Sequence, residues 1–173
     1  MYLNLPVYKP MNQQQEFTNL YNEYGQGIKK LCLGYTGDAM LAQDLLQETF
    51  IAVWNNMQKF RGDATWGTWI YRIAINTCLT HLRKKSATLV DIETTSLAML
   101  PDDVNTKEQE VQLLYKCISQ LQQTDRLIIT LVLEDKPNEE IASITAITEA
   151  NLRVKIHRIK KQLTEIYNSY ARL

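Results

Sequence analysis

The chain has 173 residues, of which 45% are apolar, with 6 glycines, 4 prolines and a formal net charge of zero. That length holds one ordinary domain or two small ones, and the apolar share excludes a chain too polar to build a core. Scarce glycine and proline argue against a turn-rich β fold, and no apolar run reaches the roughly 18 residues that a membrane span needs.

The first residues, MYLNLPVYKP, have no charged segment followed by an apolar stretch. A secretory leader is therefore not expected, and the cytoplasm is the default compartment. A first helix is predicted from Gln13 towards Thr36, loosened by Gly25 and Gly27. Gly37 and Asp38 break it, and the Asp38 carboxylate is placed to cap a second helix. That helix carries Leu41, Leu45, Leu46, Phe50, Val53, Trp54 and Met57 at three- and four-residue steps, an amphipathic stripe. Phe60 to Thr65 reads as a loop. A third helix follows from about Trp66 to Lys85, with Ile70, Ile73, Ala74 and Cys78 facing inward.

Between Ser86 and Thr106 the helical period fails, and Pro101 with two adjacent aspartates marks a linker. Helical spacing returns at Val111, Leu114, Ile118 and Leu121. Thr124 or Asp125 is expected to cap a further helix reaching Leu133, and Asp135-Lys136-Pro137 ends it. Two close helices come last, from Asn138 to about Ile144 and from Thr148 to about Tyr170. The final one aligns Leu152, Ile156, Ile159, Leu163 and Ile166 on one face. Cys32, Cys78 and Cys117 lack CxxC or Cys/His spacing, so buried free thiols are expected and no metal site is.

Zero net charge hides an uneven distribution. Residues 61–85 hold five basic side chains against one acidic, and residues 149–163 repeat that ratio. Residues 86–142 between them hold four basic against eleven acidic. Two basic segments separated by an acidic one suit two contact surfaces for a polyanion.

The stretch NEEIASITAITEANLRVKIHRIKKQL reads as a helix-turn-helix, with a tight turn near Thr145-Ala146-Ile147 and a second helix capped by Thr148. In that motif the second helix enters the major groove. Arginine reads guanine with two hydrogen bonds, and lysine holds phosphate. Glu149, Ala150, Arg153, Val154, His157 and Arg158 form its exposed series. The turn calls for a positive φ, which costs alanine energy, so Ala146 is a departure from the usual glycine. Thr145 beside it is less apolar than the motif prefers.

Together these motifs resemble the extracytoplasmic-function (ECF) sigma factors of bacterial RNA polymerase. The resemblance is carried by DLLQETFIAVW from Asp44 to Trp54 and by FRGDATWGTWIYRIAINTCLTHLRKK from Phe60 to Lys85. EEIA from Glu139 to Ala142 and LRVKIHRIK from Leu152 to Lys160 complete it. It covers about residues 13–85 and 107–167. It implies an all-α fold of two small helical domains joined by a flexible linker, the second a helix-turn-helix. The implied boundaries are 13–85, a linker over 86–106, and 107–170.

The resemblance also implies roles. Asp44, Gln47, Glu48 and Ile51 share one helix face by their spacing. In the family that face docks on the coiled-coil clamp of core RNA polymerase. The loop Phe60, Arg61, Gly62 and Asp63 matches the segment that holds a base flipped from the single-stranded −10 element. Trp66, Arg72, Asn76, Arg83, Lys84 and Lys85 match the helix along that strand, while Trp69 is expected in the core. Aromatic rings beside cations suit unpaired DNA in any case. Ile75 and Thr80 stand where members of the family often carry polar or acidic groups. Thr148, Arg153, Val154, His157, Arg158 and Lys161 match the reader of the duplex −35 element.

The implied function is promoter recognition and transcription initiation with core RNA polymerase, under the control of an anti-sigma factor. No cofactor, membrane insertion or enzymatic activity is expected, since neither His81 nor His157 has a nucleophile or paired carboxylate at useful spacing. A stand-alone helix-turn-helix regulator is the alternative, but it has no need of the aromatic and basic segment at 60–85.

Overall fold

The computed structural model describes residues 13–87 and 106–171. The described residues form seven α-helices: α1 (Gln13–Thr36), α2 (Ala39–Asn56), α3 (Trp66–Ala87), α4 (Thr106–Ile118), α5 (Gln123–Leu133), α6 (Asn138–Thr145) and α7 (Glu149–Ala171). A 3-10 turn, Met57–Lys59, closes α2. The linker expected over 86–106 falls almost wholly outside the described residues.

Asp38 caps α2 as its sequence position predicts. Its Oδ1 accepts from the backbone N–H of Met40 at 2.8 Å and of Leu41 at 3.0 Å. These are two of the four donors that a helix start leaves unpaired. The expected cap of α5 is different. Gln122 occupies the cap position without a side-chain bond. Asp125 instead pairs with Lys155 of α7 at 2.5 Å. The carboxylate is drawn to a cation on another helix rather than to its own backbone.

Leu45, Phe50 and Val53 of α2 are buried with Ile28, Leu31 and Tyr35 of α1 and Ile70, Ala74 and Cys78 of α3. Each such aliphatic or aromatic side chain contributes about 1.5–3 kcal/mol by leaving water. Trp54 departs from its predicted stripe. It is 39% exposed and meets Phe17 edge-on at 5.1 Å.

The same apolar cluster continues without a break into Ile128, Ile129 and Leu131 of α5, Ile141 of α6, and Leu152 and Ile159 of α7. The two helical groups are therefore packed on each other, with α5 against α1 and α6 against α3. Glycine makes the first contact possible. A methyl group at Gly34 would overlap the Thr130 side chain. Gly27 does not loosen α1, which is continuous there; it makes room for the Tyr71 hydroxyl. All three cysteines are buried and unpaired, and the Cys78 thiol donates to Cys32 Sγ at 3.9 Å.

Candidate nucleic-acid interface

The outer face of α2 presents Asp44, Gln47, Glu48 and Ile51 to solvent together. Ile51 is 61% exposed, a large apolar side chain standing beside three polar ones. Trp54 extends the same side of the helix by nearly one turn. An exposed apolar centre with a polar surround is the anatomy of a protein-docking face.

The loop after α2 is held by aromatic stacking. Phe60 lies on Trp66 with ring centroids 3.8 Å apart, and Trp69 meets Phe60 and Trp66 at 5.4 Å each. Trp69 is half-buried and packs against the core, as expected. Arg61, Gly62 and Asp63 are exposed at the tip, where Gly62 has a φ of 77°. Thr65 accepts from the Thr68 backbone N–H at 3.1 Å and starts α3. Tyr24 of α1 lines the cleft below; its hydroxyl pKa is pushed up to about 12 by burial and by Glu23.

Arg72 and Asn76 lie one turn apart on the exposed side of α3. Arg72 faces the other helical group. Its Nη2 and Nε donate to the Ser143 carbonyl at 2.7 and 3.1 Å. Asn76 lines a cavity of about 340 Å³ shared with α5 and α6. Arg83, Lys84 and Lys85 occupy the last turns of α3, and their side chains lie outside the described residues.

The helix-turn-helix is present in full. α6 ends at Ala146, whose φ of 57° and ψ of 31° are left-handed, the conformation the turn demands. The Thr145 hydroxyl donates back to the Ile141 carbonyl at 2.7 Å, so the polar side chain at this turn is satisfied within α6. Thr148 Oγ1 accepts from the Asn151 N–H at 3.4 Å, a long bond at the start of α7. Arg153, Val154, His157, Arg158 and Lys161 are all exposed along one side of α7. Leu152, Ile156 and Ile159 bury the opposite side. Lys155, counted among the basic residues of this segment, is spent on Asp125.

Sequence reasoning gave Glu149 no role beyond exposure. Its carboxylate pairs with the Arg153 guanidinium at 3.0 Å, one helical turn away. The four-residue spacing was the available signal. The Ser143 carbonyl, which accepts from Arg72, was missed, because an acceptor that is a backbone carbonyl has no sequence signature. Among the described residues no group of His, Cys, Asp and Glu is arranged to hold a metal, and no helix is long and apolar enough to cross a membrane.

An all-α body, a helix-turn-helix with its second helix exposed and basic, and an aromatic loop leading into a further helix define a nucleic-acid-binding protein of the transcription machinery. Comparison with known proteins gives the particular family. Residues 20–88 match Sigma-70 region 2, and residues 111–163 match Sigma-70 region 4. The RNA polymerase sigma-H factor of Pseudomonas aeruginosa is 29% identical over 170 residues, covering 87% of this chain and 85% of that one. The ECF RNA polymerase sigma factor SigW of Bacillus subtilis is 29% identical over 171 residues, covering 88% and 91%.

Two solved structures share the fold. The sigma factor RpoE of Bartonella quintana, in complex with the anti-sigma factor NepR, aligns with a TM-score of 0.76 at 19% identity over 89% of this chain and 98% of that one. CnrH in complex with the cytosolic domain of CnrY aligns with a TM-score of 0.69 at 17% identity over 90% of each chain. The chain belongs to the sigma-70 family, and it is a sigma factor of the ECF group. Such proteins are transcription initiation factors rather than enzymes.

Proposed function

We propose that this chain binds core RNA polymerase through the α2 face and directs it to promoters through two DNA contacts. The segment from Phe60 to Lys85 takes the separated −10 strand. The exposed side of α7 reads the duplex −35 element, with Arg153 on base edges and Lys161 on phosphate. The functional units are residues 13–85 and 107–170, joined over 86–106. An anti-sigma factor is the expected partner, as NepR is for RpoE in one of the structural relatives. The chain works in the cytoplasm, needs no cofactor and catalyses no reaction itself.

One observation carries this reading. A single chain holds both an exposed basic helix after a tight turn and a stack of aromatic rings, Phe60, Trp66 and Trp69, at the start of a further helix. Duplex recognition alone requires only the first; the second suits unpaired bases. The test is run-off transcription with sigma-free core polymerase on a library of promoter fragments. Defined transcripts that depend on added protein are expected. Tight sequence-specific duplex binding without any polymerase-dependent transcript would overturn the reading in favour of a stand-alone regulator.

A further inference from the structure

Each residue along α7 turns the helix by about 100°. Leu152, Ile156 and Ile159 are buried and mark its inward line. Ala150, Val154 and Lys161 fall on the opposite line, and all three are exposed. The roll of the helix is held by that core and by the pairing of Lys155 with Asp125 of α5. Near the start of α7, the side chains that point most directly away from the core are therefore apolar. They are a methyl group at Ala150 and an isopropyl group at Val154, one turn apart. Cations stand to either side. Arg153 pairs with Glu149 at 3.0 Å on one flank, and Arg158 is exposed on the other.

Val154 is 53% exposed, and valine forms helices less readily than alanine. Neither burial nor helix propensity accounts for it. Its surroundings also differ from those of the exposed apolar residue on α2. Ile51 stands beside Asp44, Gln47 and Glu48, whereas Val154 stands beside Arg153, His157 and Arg158. A basic surround suits a polyanion, so this apolar centre is set towards DNA. In the major groove the apolar group that a base pair offers is the C5-methyl of thymine. A G·C pair would instead place donors and acceptors against the valine, where they lose water and gain no partner.

We infer that Val154, with Ala150 beside it, reads thymine in the −35 element by methyl contact. This makes it a specificity-determining residue separate from Arg153, which reads by hydrogen bonds. The inference rests on the assignment of α7 to that element. It adds the chemistry chosen at the centre of the footprint: an A·T pair whose thymine methyl faces the helix.

Removing single methyl groups from the DNA tests it. Deoxyuridine in place of thymidine deletes the C5-methyl and leaves every hydrogen-bonding group of the pair. The chain assembled with core polymerase is titrated with duplex promoter fragments from the run-off library, carrying uracil at one −35 position at a time. The proteins are the wild type, Val154→Ala and Arg153→Ala. Val154→Ala raises helix propensity at an exposed site, so loss of folding does not enter.

The wild type should bind about fourfold more weakly when one critical methyl is removed, the effect of withdrawing one such group from an apolar contact. Val154→Ala should bind the thymine site more weakly and the uracil site about as the wild type does, so its thymine preference falls towards one. Arg153→Ala should lose affinity and keep the preference. Methyl removal that acted through DNA stiffness would weaken the wild type and Val154→Ala by the same factor, and that result overturns the inference. So would a wild type indifferent to uracil at every −35 position, or a selected −35 element with no A·T pair. Loss of the preference in Arg153→Ala with its retention in Val154→Ala would give the contact to the arginine and overturn it too. Run-off transcription separates this from the promoter reading itself. A wild-type chain inactive with core polymerase removes that reading, whereas promoter-dependent transcripts with no response to methyl removal remove only the thymine contact.

Discussion

Arg126 Nη1 on α5 donates to the backbone carbonyl of Tyr35 on α1 at 3.0 Å, while its Nε donates to the Leu121 carbonyl at 2.8 Å. One guanidinium thus closes the end of the preceding helical turn and ties α5 to α1. Burial lowers its pKa from the ordinary arginine value, the mark of a charge partly removed from water. Arg126→Met should leave both carbonyls short of a donor and cost about 1–3 kcal/mol. Urea unfolding should show a lower midpoint. An unchanged midpoint would mean that the Tyr35 carbonyl is not held by this side chain in solution.

The left-handed residue at the helix-turn-helix gives a prediction of opposite sign. Ala146→Gly should stabilise by about 0.5–1 kcal/mol, because relief of the Cβ clash outweighs the added entropy of the unfolded chain. Ala146→Val should destabilise by more than about 1 kcal/mol. Thermal unfolding of the two variants checks the pair, and a lowered midpoint for Ala146→Gly would show that the turn takes another conformation.

Much of the frame was readable before any coordinates. The Gly37-Asp38 break, the inward face of α7 and the strain expected at Ala146 follow from local rules of spacing, capping and φ. The exposure of Asp44, Gln47, Glu48 and Ile51 on one side of α2 follows from helical period alone. What escaped depends on partners distant in the chain. Asp125 looks like a cap until Lys155 is brought beside it. Trp54 fits the core stripe of α2 but drifts to its edge, where Phe17 meets it. The contact of Gly34 with Thr130 and the acceptance of Arg72 by Ser143 involve a missing side chain and a main-chain oxygen, and neither leaves a pattern to read.

Reversing charge on the α2 face should separate polymerase docking from folding. Gln47→Lys with Glu48→Lys changes two exposed side chains, which shifts stability by under about 0.5 kcal/mol. Co-purification with core polymerase should be lost while circular dichroism stays the same. Normal core binding by this double variant would remove the α2 face from the proposed interface.

The exposed side of α7 should divide between base reading and phosphate attraction. Arg153→Ala is expected to cost about 1–3 kcal/mol and to relax preference at one or two −35 positions. Glu149→Gln frees the guanidinium and should blur preference at those same positions by less. Lys161→Ala should weaken all −35 sequences evenly and lower the salt slope by about one unit. Binding of polymerase with each variant to a permuted −35 set distinguishes them. Equal loss across the set for Arg153→Ala would show that this arginine does not touch bases.

The thiols should be silent in the native protein. Cys78 is held protonated, its pKa raised by its hydrogen bond to Cys32 and by burial, and burial also raises Cys117. A thiolate is the reactive form, so a disulfide reagent at mildly alkaline pH should label none of the 3 cysteines until denaturant is added. Fast labelling without denaturant would reveal an opening of the α1–α3 contact.

The stack of Phe60, Trp66 and Trp69 also gives the chain an optical reporter. Of its 3 tryptophans, two stand in that trio and the third is Trp54 on α2. Indole emission responds to ring stacking and to water, so replacing Trp54 with phenylalanine would confine the signal to the first turn of α3, where Phe60 of the loop stacks. Stopped-flow fluorescence of that variant on a promoter would then time the moment a base exchanges places with one of these rings, with no dye attached to protein or DNA.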